Sequence, residues 1–172
     1  MSQEPEALRK LDAYDLKILA EIQTDAGLSN QEIAERVGLS ASPCSRRIRQ
    51  LELDGIIGER VARLSPAKLG LDLTVLIHIR MDRHTPERFD NFEAIVGGFP
   101  EVQECYLITG QEADYQLKVI VPSMDEYQRF LLEKITRIDG VIGVHSSFVL
   151  RKPIDTTRLP LNYLAKSVRR RA

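Results

Sequence analysis

The spacing of apolar residues changes once along the chain, and this change separates two regions of different secondary structure. Over the first 60 residues, apolar side chains recur at helical spacing in three short runs separated by turn residues. From Leu73 the period becomes two, because Leu73, Val75, Ile77, Ile79 and Met81 alternate with mostly polar residues. The pattern predicts an α+β protein made of a helical domain followed by a mixed domain.

The first two helices have start and stop signals. Asp12 caps the first, with Asp15 at the positive end of the helix dipole, and Asp25 to Leu28 interrupts the pattern. Ser29 and Glu32 form a capping box for the second helix, which ends at Gly38. The residues predicted to face inward are Leu16, Leu19, Ala20, Ile22, Ile33, Ala34 and Val37.

The third helix completes a helix-turn-helix motif. Ser42 is predicted as its N-cap, Pro43 as its first residue, Ile48 and Leu51 as buried, and Gly55 as its stop. In this motif the N-terminal residues of the last helix enter the major groove of DNA. Arginine suits both guanine edges and phosphates. The predicted DNA-binding residues are Ser40, Ser42, Pro43, Cys44, Ser45, Arg46, Arg47 and Arg49.

The net charge of −1 conceals a segregation of charge. Residues 42–49 contain three arginines and no acid, and residues 151–172 contain seven basic residues against Asp155. Such patches attract phosphate whatever the net charge is. The alternatives are that these runs are solvated helix faces, and that the 169–171 arginine tail is disordered and solubilising.

The second region is predicted to have the order βαββαβ, which is the ferredoxin-like arrangement. Its elements are a strand over 73–82, a helix from Thr85 and Pro86 to Pro100, strands over 102–109 and 115–121, a helix opened by a Ser123–Glu126 capping box, and a strand over 141–151. The predicted core residues on the helices are Phe89, Phe92, Val96, Phe99, Met124, Tyr127, Phe130, Leu131 and Ile135.

Both helices of this arrangement cover one face of the sheet and leave the other bare. We expect the bare face to carry some combination of Leu76, His78, Cys105, Leu107 and Val149. Because a half-apolar open face is unfavourable in a monomer, we infer self-association.

The predicted organisation is a winged-helix-like helix-turn-helix domain over 8–60, a connector over 61–72, a ferredoxin-like domain over 73–152 and a basic tail over 153–172. Residues 56–64, which span the end of the helical domain and the start of the connector, can form a strand.

Several classes of protein are disfavoured. No apolar run approaches the roughly 20 residues that span a bilayer, and the acidic N-terminus does not resemble a signal peptide. The three histidines and two cysteines have no metal-ligand spacing, so no metal site is expected. We find no phosphate-binding loop or nucleophile elbow, and therefore expect no enzyme and no cofactor. Cys44 lies among arginines, so a redox-sensing thiolate is an alternative to a packed small residue.

The chain resembles the leucine-responsive/asparagine regulator (Lrp/AsnC, feast/famine) family of transcriptional regulators, and most of all its leucine-responsive branch. The matching segments are LDAYDLKIL at 11–19, LSASPCSRR at 39–47, LELDGII at 51–57, ECYLITG at 104–110 and DYQLKV at 114–119.

The resemblance implies a cytoplasmic, nucleoid-associated regulator of amino-acid metabolism that binds double-stranded DNA. It also implies dimers assembled into octamers, and an amino-acid effector, leucine or another, bound between subunits near the loop joining the second and third strands. The positions implied for the effector are Leu107, Thr109, Gly110, Glu112, Asp114, Tyr115, Met124 and Ser146.

The residues themselves are compatible with that role. The Asp114 carboxylate can neutralise a ligand ammonium group, and backbone N–H groups at the Gly110 turn can bind its carboxylate. The alternative is that both are ordinary turn residues. The chain has three residues between Gly110 and Asp114 where the family usually has two, which leaves open which of Gln111, Glu112 and Ala113 faces the pocket.

Two alternative functions remain at this point. One is an architectural DNA-binding protein without an effector, and the other is a small amino-acid-binding enzyme, because ferredoxin-like domains also host catalysis.

Overall fold

The computed structural model describes residues 11–109 and 112–164. These residues form two compact units, of which the first comprises 11–62 and 154–164 and the second 63–153. Gly110 and the arginines at 169–171 therefore lie outside the described residues.

The first unit is a three-helix domain. Its helices are α1 (Ala13–Ile22), α2 (Asn30–Val37) and α3 (Ala41–Leu53). The predicted Asp12 cap of α1 and the predicted capping box of α2 are both present, and Asp15 completes a capping box on α1 as well. Helix α2 ends at Gly38, whose φ of 76° is a conformation that favours glycine. The buried core residues are Ile18, Ile22, Leu28, Ile33, Ala34, Val37, Cys44, Ile48 and Leu51.

Three expectations for this unit were wrong. Helix α3 begins at Ala41 after an extended Ser40, so Ser40 and not Ser42 is its N-cap. Pro43 lies in the first turn, where its missing N–H costs no hydrogen bond because the N–H groups there have no partner within the helix. Ala20, which was predicted to face inward, is exposed. Ile18, which was not predicted to face inward, is completely buried, because α1 packs against both α2 and α3. Residues 56–64 form no strand, and no neighbouring strand pairs with them among the described residues.

The second unit has the ferredoxin-like order. Its elements are β1 (Leu73–Met81), α4 (Pro86–Gly97), β2 (Val102–Leu107), β3 (Tyr115–Val121), α5 (Met124–Glu133) and β4 (Val141–Phe148). The antiparallel sheet has the strand order β2-β3-β1-β4. Its core is formed by alternate residues of β1 and β3 packed under Phe92, Val96, Tyr127 and Phe130 of the helices.

The predicted ends of several elements shift. Strands β2 and β4 end at Leu107 and Phe148, and Ile135 lies in a short 3-10 turn after α5. Ser123 caps α5 by accepting from the N–H of Glu126, without the reciprocal half of a capping box. Met124 is 52% exposed rather than part of the core.

The sheet face that carries no helix, which we call the helix-free face, differs from the prediction at β2. Cys105 lies opposite Leu117 and Leu107 opposite Tyr115, so both are on the helix side, because an irregularity between Val102 and Glu104 shifts the alternation of β2. The residues of the helix-free face are Thr74, Leu76, His78, Arg80, Glu104, Tyr106, Gln116, Lys118, Ile120, Gly143, His145, Ser147 and Val149.

Over residues 11–109 and 112–164, no helix combines the length and the apolar character needed to cross a bilayer.

Candidate functional site

Helix α3 has one buried and one exposed face. Cys44, Ile48 and Leu51 are buried against the other two helices. Ser42, Arg46 and Arg49 follow each other at spacings of four and three residues, so they share a face, and all three are exposed. Within the described part of the chain, neither Arg46 nor Arg49 has an acidic partner. Their guanidinium groups are therefore available to an external anion.

Arg47 has a different environment from the other two arginines of α3. Its Nη1 lies 2.7 Å from Oδ2 of Asp12 and 2.8 Å from Oδ1 of Asp15, and it also lies over the Tyr14 ring. The Asp15 side chain is 1% exposed and that of Arg47 is 26% exposed. The hydrogen bond to Asp15 raises the pKa of Arg47. Arg47 thus fastens α3 to the beginning of α1.

The environment of Cys44 excludes two of the predicted roles. The residue has no exposed surface and belongs to the core of the helical unit, so it is inaccessible to DNA. Burial raises the pKa of the Cys44 thiol and outweighs the opposite effect of Arg47, which is the reverse of what a reactive thiolate needs.

The remaining predicted residues of this surface lie around its edges. Ser40 is the exposed N-cap of α3, and Pro43 is partly buried. The Ser45 hydroxyl accepts a hydrogen bond from the Asn30 side chain at 3.3 Å, which links α3 to the first turn of α2. Sequence periodicity could have separated these positions, because Cys44, Ile48 and Leu51 already define the buried face.

The loop between β2 and β3 contains a carboxylate with two partners. Oδ2 of Asp114 accepts the N–H of Met81 at 2.7 Å, and Oδ1 lies 2.7 Å from Nε2 of His84. The Asp114 side chain is 15% exposed. Asp114 therefore stabilises the end of β1, as the turn-residue alternative predicts. A small part of its side chain remains accessible.

A cavity of about 420 Å³ lies beside this carboxylate. Glu112 and Ala113 both line it. The other ionisable side chains that line it are Arg80, Asp82, Arg83, His84 and Asp114. Leu107 and Thr109, which precede Glu112 by a few residues in the chain, are both exposed.

Tyr115 lines a different cavity, of about 330 Å³, which Cys105 and Leu107 also line. Its side chain is fully buried, packs against Phe92, and donates a 2.7 Å hydrogen bond to Oε1 of Glu93. Burial and this hydrogen bond raise the pKa of the phenol. Tyr115 is a core residue of the single chain, and its place in the effector site stays a prediction.

Met124 and Ser146 are not adjacent to the loop. Met124 is the first residue of α5, after the end of β3, whereas Asp114 lies directly before the first residue of β3. The two residues therefore lie beyond opposite ends of this strand. Ser146 pairs with Ile77 in the middle of the sheet, and its hydroxyl contacts that of Tyr127 on α5. Within one chain, Met124 and Ser146 therefore both lie apart from the loop residues.

The two units define the class of protein. A helix-turn-helix whose last helix presents exposed arginines is the architecture of a DNA-binding protein. Comparison with known proteins agrees: residues 11–57 match the winged helix-turn-helix DNA-binding domain, and residues 74–159 match the Lrp/AsnC ligand-binding domain. The chain belongs to the Lrp/AsnC family, whose members are transcriptional regulators and not enzymes.

The relatives match over nearly the whole chain. The glutamate uptake regulatory protein of Zymomonas mobilis (strain ZM4) is 41% identical over 165 residues, which are 96% of this chain and 99% of the relative. The leucine-responsive regulatory protein of Escherichia coli K12 is 38% identical over 151 residues, 88% of this chain and 92% of the relative. The crystal structure of a Neisseria meningitidis transcriptional regulator in complex with L-Met superposes with a TM-score of 0.85 at 40% identity, covering 90% of this chain and 99% of that one.

Proposed function

We propose that the exposed face of α3 reads DNA through Ser42, Arg46 and Arg49, with Ser40 and Ser45 at its edges. The observation that carries this proposal is the division among the arginines: Arg47 is bound to Asp12 and Asp15, whereas Arg46 and Arg49 are exposed and unpaired among the described residues. Arg47, Cys44 and Pro43 then support the helix rather than contact bases.

A matched set of alanine variants tests this assignment. Arg46→Ala and Arg49→Ala should each weaken binding to a DNA fragment selected by the wild-type protein by about 5- to 150-fold, corresponding to about 1–3 kcal/mol for a lost base contact. Arg129→Ala is the control, because Arg129 is an exposed arginine of the other unit. Gel shifts at one salt concentration that give equal affinity for all four proteins would refute the assignment.

We further propose that the effector is an amino acid bound between two copies of the chain. The β2–β3 loop of one copy would supply Thr109, Gly110, Glu112 and Asp114, with Leu107 beside them, and the group containing Met124 and Ser146 would come from another copy. The separation of these two groups within one chain favours a shared site. A relative named for leucine response, another named for glutamate uptake and a related structure with L-Met support an amino acid as the ligand class.

The effector proposal is tested by thermal unfolding with each of the twenty amino acids. A ligand that binds only the folded protein raises its melting temperature, and a concentration of 100 times Kd contributes about 2.7 kcal/mol. Asp114→Asn should abolish the rise, because it removes the charge while its amide oxygen can still accept the Met81 N–H. Gln23→Ala, in the other unit, is the control. If no amino acid changes the melting temperature, the architectural DNA-binding alternative is favoured.

We propose that the chain forms dimers and, from them, octamers, and that it acts in the cytoplasm on the nucleoid. The apolar residues of the helix-free face, including Leu76, Ile120 and Tyr106, support self-association. A monomer mass by light scattering at micromolar concentration would refute it, and a dimer mass would refute the octamer.

A further inference from the structure

The N-terminal half of α3 is bordered on both sides by the start of another helix. On one side, the Ser45 hydroxyl accepts a hydrogen bond from the Asn30 side chain in the first turn of α2. On the other side, Arg47 binds two carboxylates at the start of α1. Ser45 and Arg47 are two positions apart, so they project about 200° apart around the helix axis. The exposed face that carries Arg46 therefore lies between the starts of α1 and α2.

This arrangement matches the dimensions of a DNA groove. The major groove is about 12 Å wide, and an α-helix with its side chains measures about 10–12 Å across. A helix inside the groove fills it, so the segments that flank this helix meet the phosphates at the two edges of the groove. The helix-turn-helix motif accounts for one edge, because its first helix, here α2, crosses the DNA backbone. Helix α1 is not one of the two helices of the motif, and its start lies at the other edge.

The exposed surface at the start of α1 carries a cation held beside an aromatic ring. Nζ of Lys17 lies 5.4 Å from the centre of the Tyr14 ring, and Cζ of Arg47 lies 5.7 Å from the same centre. Lys17 is exposed, and Tyr14 is 40% exposed. The shared ring places the Lys17 ammonium group beside the part of α3 that enters the groove.

The acidic residues around Lys17 are engaged by other cations. Both carboxylates at the start of α1 pair with Arg47. Glu21, one turn after Lys17, pairs with Arg36 of α2 at 3.2 Å. Among the residues that the structure describes, no carboxylate forms an ion pair with Lys17. Its ammonium group is therefore available to an external anion.

We propose that Lys17 binds a DNA phosphate at the edge of the major groove, with the Tyr14 ring holding its side chain. This inference rests on the proposed role of α3 in reading DNA, and it extends the contact surface to a helix outside the motif. Phosphates carry no sequence information, so a phosphate contact adds affinity for any duplex. Lys17 thus strengthens binding to all sequences, whereas Arg46 and Arg49 distinguish among them.

The test compares the salt dependence of DNA binding in full-length wild type and Lys17→Gln. Each phosphate contact that is lost reduces the slope of log affinity against log salt concentration by about 0.9. Between about 50 and 200 mM salt, the wild type should therefore lose about 3.5-fold more affinity than Lys17→Gln for each helical unit bound. At one salt concentration, the affinities of Lys17→Gln for a selected fragment and for a random duplex should fall by the same factor.

Lys68→Gln is the matched control, because it removes the same charge from an exposed lysine of the other unit. Lys68→Gln and the charge-retaining Lys17→Arg should both show the wild-type slope. A wild-type slope in Lys17→Gln, or an equal reduction in Lys68→Gln, would overturn the proposal. A changed ratio of the two affinities in Lys17→Gln would also overturn it, since Lys17 would then contact a base. A partly unfolded variant would lose affinity without a change of slope.

The same measurements separate this proposal from the one on which it rests. Wild-type affinity in Arg46→Ala and Arg49→Ala would refute the reading role of α3. Weakened binding in those two variants, together with a wild-type slope in Lys17→Gln, would refute only the phosphate contact.

Discussion

Replacing Arg47 by alanine should destabilise the helical unit, although the residue lies on the helix that we assign to DNA. The substitution removes the guanidinium partner of Asp15, whose side chain is 1% exposed. Removing one partner of a buried ion pair costs about 3–5 kcal/mol, whereas an exposed pair is worth about 0–1 kcal/mol. Arg47 is 26% exposed and its second partner, Asp12, is 47% exposed. We therefore expect a loss of about 2–3 kcal/mol in the free energy of unfolding of this unit, midway between those limits.

Hydrogen exchange followed by mass spectrometry measures this loss in α1 and α3 of the full-length protein. Where exchange requires opening of the unit, a loss of about 2–3 kcal/mol accelerates it about 30- to 150-fold. Arg49→Ala should change the free energy by no more than about 0.5 kcal/mol, because this side chain is exposed. Adding Asp15→Asn to Arg47→Ala should recover part of the loss, since it removes the buried charge that has lost its guanidinium partner. Wild-type exchange in Arg47→Ala, together with weak DNA binding, would refute the argument and make Arg47 a DNA contact.

The same ion pair predicts how stability depends on pH. Desolvation raises the pKa of Asp12, but the N–H of Asp15 and the Arg47 guanidinium outweigh it, so the net pKa lies below the ordinary 3.8. A carboxyl with a lowered pKa in the folded state contributes stability above pH 3.8 that is lost as the pH falls through its folded pKa. Unfolding of the helical unit should therefore become easier below pH 3.8, and less steeply so in Arg47→Ala.

Two further predictions concern the cysteines and the glycines. In the native protein a thiol reagent should label the exposed Cys105 and label the buried Cys44 only after denaturant is added; two equally fast reactions would contradict the burial of Cys44. Gly140→Ala should lower the melting temperature, because φ is +92° and the new Cβ would lie 2.7 Å from the Arg88 side chain, at a cost of about 1–3 kcal/mol. Gly97→Ala, where a Cβ meets nothing, should raise it slightly, and equal shifts in the two variants would contradict the steric argument.

Periodicity and capping residues were sufficient to predict both architectures. The alternation from Leu73 to Met81 identified the central strand with its buried face, and the Ser29–Glu32 capping box identified the start of α2. Both are local signals, since spacing and capping depend on residues close together in the chain. The ferredoxin-like order followed because the turns and caps separated the remaining strands and helices.

The errors arose where a contact distant in sequence decides the outcome. Arg47 and Asp15 are 32 positions apart, and no local pattern reveals that they pair. The helix-side position of Cys105 depends on an irregularity in β2, which reverses the alternation that the sequence suggests. A shared pocket formed by the two groups of predicted effector residues remains a proposal, because the single chain keeps them apart and a second copy would have to join them.

We propose that binding of the amino acid changes the affinity of the protein for DNA, and this affinity, measured with and without the effector, tests the proposal most directly. Fluorescence anisotropy of a labelled, wild-type-selected fragment should give a dissociation constant that changes about 5- to 150-fold when the stabilising amino acid is added. The affinity for the amino acid should change by the same factor when DNA is added, because the coupling is reciprocal. An affinity for DNA that is identical at zero and saturating amino acid would contradict the account.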